Sequence, residues 1–296
     1  MGRVAIRVLL QTTIPSIADD WSIARFSQLG ALMRAQRDAD GRPLFQVTMR
    51  DRDPLGAPDS VLSKLDQGRF DQLWLFAVDS GDGLTEDDCQ GISRFRRSGG
   101  GLLVTRDHMD LGSSLCNLGG IGKAHYFHTR NPDPDPSRRE IDDPYSTNIS
   151  WPNFHSGANG DFQQIGIAGS IHRVLADPTS PSNAIRFLPS HPHEGGIGAP
   201  QDEPSRVIAT GTSKVTGRHF NIAVAFEPGA SGGAAIAQST FHHFADYNWD
   251  TRAGSPSFVC EPPGDAIMRT PQAIADTHRY VLNVAYWLAG RDKPQV

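Results

Sequence analysis

Three cysteines in 296 residues, Cys89, Cys116 and Cys260, are too few and too irregularly spaced for a disulfide framework or a C-x-x-C site. Their odd number suits a reducing compartment, so the cytoplasm is the expected location. Long apolar runs are missing too. No stretch approaches the roughly 20 residues of a membrane span, and the run at 4–10 is interrupted by Arg7 and too short for a signal core. No membrane partner is expected. Positive charge is in deficit: 28 Lys and Arg face 33 Asp and Glu, a formal net charge of -5. With basic pairs such as Arg96-Arg97 and Arg138-Arg139 scattered, the footprint of a nucleic-acid binder is absent. There is no G-x-S-x-G nucleophile elbow and no H-E-x-x-H helix. Gly99-Gly100-Gly101 and Gly119-Gly120-Ile121-Gly122 do not fit phosphate-binding patterns, so no nucleotide or organic cofactor is expected.

What is present is an α/β pattern. The apolar runs at 4–10, 44–49, 73–78 and 102–105 read as strands buried on both faces. Between them, Ile23, Phe26, Leu29 and Met33 recur at helical spacing. Residues 61–65 suggest a short helix, and Thr85 with Asp88 has the spacing of a capping box. Strands alternating with helices imply a doubly wound, mainly parallel sheet with helices on both faces. From 111 to 201 the pattern dissolves into loops, with Asn131-Pro132-Asp133-Pro134-Asp135-Pro136 the clearest irregular segment. This segment reads as a long loop-rich insertion over the strand ends within one domain spanning 1–296. Strands return at 206–210, 220–226 and 234–237, and Thr270-Pro271 announces a closing helix.

In open parallel sheets, ligands bind beyond the carboxyl ends of the strands. That rule selects Asp79 after the third strand, Arg106, Asp107 and His108 after the fourth, and His242, His243, Asp246, Asn248 and Trp249 after the last. His108 has the imidazole that a general base near neutral pH requires, and Asp107 is placed to orient it; a hydrogen-bonded turn is the plainer reading of the pair. His191-Pro192-His193-Glu194 offers two imidazoles on one side of an extended chain. With His242 they make a candidate ligand set for a divalent metal, zinc or iron ahead of magnesium, against the alternative of a surface loop. Glu194 joins Asp107 and His108 among the catalytic candidates. Arg106, Asp79, His125, His243, Asp246, Asn248 and Trp249 are the candidates for substrate binding, while His172, His219 and His278 read as structural. Cys116 has nothing local to lower its pKa, which argues against a Cys nucleophile.

Gly99-Gly100-Gly101-Leu102-Leu103-Val104 followed by His108, then Leu118-Gly119-Gly120 with His125, and later Gly217-Arg218-His219-Phe220, resemble the trehalose-utilisation (ThuA-like) proteins of the class I glutamine-amidotransferase-like superfamily. The resemblance implies a flavodoxin-like sheet and a small polar substrate such as a sugar derivative. Glutamine amidotransferases carry a nucleophilic Cys in the sharp turn where this chain has Arg106-Asp107-His108, so glutaminase activity is not expected. The expectation is a hydrolase or lyase acting on a small polar sugar or amide derivative through a His-rich, metal-containing pocket. The alternative is a non-catalytic small-molecule sensor on the same fold. Homo-oligomers are compatible with either reading.

Overall fold

The computed structural model describes residues 4–146 and 148–291. Its first part runs β1 (Ile6–Thr12), α1 (Ser27–Arg34), β2 (Phe45–Arg50), β3 (Gln72–Phe76), α2 (Glu86–Arg97) and β4 (Gly101–Thr105). The capping box at the start of α2 is formed, with Asp88 N donating to Thr85 Oγ1 at 3.3 Å and Thr85 N to Asp88 Oδ2 at 2.9 Å. Most strand boundaries shift by one or two residues, the third strand, for example, ending at Phe76 rather than at 78. The first strand begins two residues later than the apolar run and extends to Thr12, and the first helix opens as a tight 3-10 turn over Ile23–Phe26.

The segment 111–201 is mostly irregular, as expected, but contributes β5 (His125–Tyr126), β6 (Phe162–Gln164), β7 (Gly166–Ile167), β8 (Phe187–Pro189) and β9 (Gly196–Ile197). Then follow β10 (Ser205–Thr212), β11 (His219–Phe226), β12 (Ala235–Gln238), α3 (Asp246–Trp249), α4 (Ala266–Arg269) and α5 (Pro271–Leu288). The main sheet has eight strands in the order β2-β1-β3-β4-β12-β11-β10-β7. The five strands from β2 to β12 are mutually parallel, and β11, β10 and β7 continue the sheet antiparallel. Antiparallel pairing is the physical result of direct returns between consecutive late strands, which leave no room for a crossover helix. Two ribbons, β5 with β9 and β6 with β8, lie apart from the sheet.

Alternation along the central strands builds two cores. Val8 and Leu10 of β1, Trp74 and Phe76 of β3 and Leu103 of β4 pack with Leu29 and Met33 of α1 and with Val281, Val284 and Ala285 of α5. Leu9, Leu73, Leu75, Leu102 and Val104 point the other way, onto Ile92 and Phe95 of α2. Helices thus cover both faces, and residues from 111–201, including Phe154, Val174 and Leu188, enter the first core. Among the described residues no helix is long and apolar enough to cross a membrane.

Candidate active site

Parallel β4 and β12 are neighbours, so the chain segments leaving their carboxyl ends emerge side by side. After β4 the backbone turns sharply: Leu111 N donates to His108 O at 3.0 Å, and Met109 between them sits at φ 48°, left-handed backbone that a side chain with a Cβ adopts at a cost. This turn presents Asp107 and His108. After β12, Thr240 caps a 3-10 turn over Phe241–Phe244 that presents His242. The loop before β9 adds His191 and His193 from the far end of the sequence segment 111–201.

These five side chains line one cavity of about 410 Å³ together with Asp20, Trp21, Asn159, Phe241, Phe258 and Glu261. His108 Nδ1 lies 3.1 Å from Asp107 Oδ2. His191 Nδ1 is 3.6 Å from Asp107 Oδ1, and His242 Nε2 is 3.7 Å from Asp107 Oδ2. The rings of His191 and His242 stack with centroids 3.5 Å apart and 12° between planes, while Trp21 meets His242 edge-on at 4.6 Å. His193 Nε2 is 3.5 Å from Asp143 Oδ2 and 3.7 Å from Glu261 Oε1. Burial alone would raise the Asp107 carboxyl, yet the neighbouring imidazoles, His108 foremost, hold it well below the usual carboxylate range. Burial, reinforced by His242, pushes His191 well below the ordinary imidazole value, which disfavours its protonated form. Burial lowers His193 likewise, aided by His108.

The other candidate residues turn away from the cavity. Glu194 is fully buried behind it, accepting from Ser156 Oγ at 2.6 Å, Ser239 Oγ at 2.7 Å and Gln163 Nε2, with His243 Nε2 at 3.4 Å. His243 is held from its other nitrogen by Gln238 at 2.7 Å. Arg106 is buried under the turn, where it donates to Met109 O at 2.6 Å and to Tyr126 O and lies 4.1 Å over the Phe127 ring. Burial brings its guanidinium down to about 9. Burial and the charge of Arg106 push His125 down to about 3, so it is a neutral packing residue. Asp79 is a loop brace, accepting from Gly81 N at 2.8 Å and Ser114 Oγ at 2.9 Å. Asp246 faces α1, where it accepts from Ser27 N, Ser27 Oγ and Gln28 N. Trp249 donates to His243 O at 2.9 Å. Asn248 touches the site indirectly, its Oδ1 2.9 Å from His242 Nδ1.

For the residues that follow a strand, one physical reason covers these departures. A residue just beyond a strand end can point into the crevice or back beneath it, and polar groups sent beneath it become the hydrogen-bond partners that buried backbone and side chains require. The groups at the site that were not anticipated include Asp20, Trp21, Asp143, Asn159 and Glu261. Asp20 and Trp21 follow β1 and are reachable by the strand-end rule. The other three lie in loops with no local signal.

None of the three Cys residues is among those lining the cavity. Burial pushes Cys89 up to about 12 and also raises Cys116, while Cys260 is exposed. No family model and no curated protein sequence matches the chain. Among solved structures, the glutaminase domain of a Trypanosoma brucei CTPS, with bound acivicin, matches at 14% identity and TM-score 0.50 over 98% of this chain and 96% of that one. A ThuA-like protein from Parabacteroides merdae matches at 16% identity and TM-score 0.53 over 99% of this chain and 93% of that one. The chain therefore has the flavodoxin-like α/β fold of the ThuA-like and class I glutamine-amidotransferase-like proteins, the fold that its glycine-rich strand motifs resemble.

Proposed function

We propose that this protein is an enzyme, a hydrolase or lyase that acts on a small polar molecule without a Cys nucleophile. The observation that carries the reading is the Asp107–His108 pair on the wall of the cavity at the strand ends. In the tautomer whose Nδ1–H donates to Asp107, His108 Nε2 is the nitrogen free to act as general base. His108 is the partly exposed member of the pair, with 18% of its side chain accessible against 4% for Asp107. The base can therefore meet a substrate while its orienter stays dry.

The walls narrow the substrate class. Trp21, Phe241 and Phe258 supply aromatic faces, Asp20 and Glu261 add carboxylates toward the rim, and Asp107 adds one at depth. Aromatic faces and carboxylate acceptors suit a neutral molecule rich in hydroxyl or amide donors, whereas an anionic substrate would be repelled. A sugar or amide derivative meets both requirements.

The test is a turnover screen with neutral glycosides, lactones and amides, followed by His108→Asn on any substrate found. Loss of a positioned general base should lower kcat by about 10²- to 10⁴-fold while thermal stability stays near that of the parent. Full activity in His108→Asn would overturn the assignment. A neutral sugar or amide that raises the melting temperature but is never turned over would favour the sensor reading instead.

A further inference from the structure

Asp107, His191 and His242 each offer one ligand atom such that all three atoms lie within 4.8 Å of one another, and all three side chains are buried. The hydrogen bonds around them determine which nitrogens are bare. Asn248 Nδ2 lies 3.0 Å from Ser190 O, a carbonyl that can only accept, so this end of the amide is its NH₂ group and Oδ1 is the end facing His242. Oδ1 can only accept, so His242 Nδ1 carries a proton; Nε2, in the neutral ring, presents a lone pair to Asp107. His191 Nδ1 accepts the backbone N–H of His193 at 3.1 Å and is unprotonated as well.

Two imidazole nitrogens therefore flank one carboxylate at 3.6 and 3.7 Å. These separations are too long for hydrogen bonds. They are close to the edge of a coordination tetrahedron, about 3.4 Å for metal–ligand bonds of about 2.1 Å.

We propose that Asp107, His191 and His242 bind one divalent transition-metal ion of the zinc class, with its remaining coordination position open to the cavity. Two imidazoles and a carboxylate favour zinc or iron(II) over magnesium or calcium, which prefer all-oxygen shells. At His191 Nδ1 the ion would take the place of the His193 N–H. Asn248 is the positioning residue: it sets the His242 tautomer and ring orientation without touching the ion. His193, on the same loop, lies outside the ligand set, directed toward Asp143 and Glu261. The ion would complement His108 in the proposed reaction, and the inference rests on that reading only for its chemical role, since binding is measurable without turnover.

The untagged full-length chain is stripped with chelator and titrated with zinc against a chromophoric chelator, with metal content read by elemental analysis and ligand field by cobalt(II) absorption. The expected result is about one ion per chain with the cobalt spectrum of a four- or five-coordinate site. His242→Ala should abolish binding, Asn248→Ala should weaken it by about 10- to 100-fold, and His193→Ala should retain one ion. A parent protein that fails to compete for zinc at micromolar concentration overturns the proposal without recourse to any variant, as does unchanged affinity in a folded His242→Ala. If zinc does not bind but His108→Asn still abolishes turnover, the metal site falls and the acid–base reading stands. If zinc binds and no turnover is found, the reverse holds.

Discussion

Glu194 separates a catalytic from a structural reading most sharply, because its sequence neighbours His191 and His193 line the cavity while its own carboxylate is buried behind it. In Glu194→Ala the carboxylate is lost as acceptor for Ser156, Ser239, Gln163 and His243. Two of these donors have a second acceptor: Ser156 Oγ reaches His191 O at 3.1 Å, and Gln163 Nε2 reaches Pro189 O at 3.2 Å. Ser239 and His243 bear most of the loss. Two hydrogen bonds to a charged acceptor, at about 1.5 to 3 kcal/mol each, give about 4 kcal/mol. Unfolding entropy of about 2.1 cal/mol/K per residue converts this to a fall in melting temperature of about 6 °C for a chain of this length. Calorimetry of Glu194→Ala beside the parent measures it, with turnover recorded well below either transition. A variant that melts with the parent yet loses activity more than about 100-fold would refute the reasoning and return Glu194 to the catalytic set.

Asp246 caps α1 through three hydrogen bonds from Ser27 and Gln28, so Asp246→Ala should cost about 1 to 2 kcal/mol in chemical denaturation and leave kcat unchanged; a large kcat effect would place it in the site after all. Asp59, its side chain fully buried, is brought down to about 2 against the opposing effect of burial, chiefly by Arg50 and by backbone N–H groups of Leu62, Asp53 and Val61. Because the folded-state value is depressed, its contribution of about 2 kcal/mol is whole above the unfolded value near 4 and is lost as pH falls through about 2. Urea unfolding of Asp59→Asn should show a deficit of that size at pH 7 that narrows toward pH 2, and an equal deficit at both would remove the electrostatic explanation.

Local sequence was sufficient for everything that depends on short-range pattern. The β-branched and apolar strands, the Thr85–Asp88 capping box and the Thr270-Pro271 start of α5 are each settled by residues within one or two turns of each other. The crevice was legible too, since parallel strands buried on both faces leave polar groups only at their ends, and that rule led to Asp107, His108 and His242. Direction within the crevice was not. Whether a polar side chain beyond a strand points into the cavity, as His242 does, or beneath it, as His243 does one residue later, depends on partners from elsewhere in the chain: Asn248 for one, Gln238 and Glu194 for the other.

The proposed metal ligands illustrate the same limit. His191 and His193 look equivalent in an extended His-x-His pair, but the turn at Pro192 lets His193 N–H bond back to His191 Nδ1 and sends the second ring toward Asp143 and Glu261. Asp107 then takes the third position beside His191 and His242. Chain composition determined that imidazoles and carboxylates would gather at the strand ends. Only tertiary packing decided which three meet, because ligand distance is set by segments more than 50 residues apart folding against the same pair of strand ends.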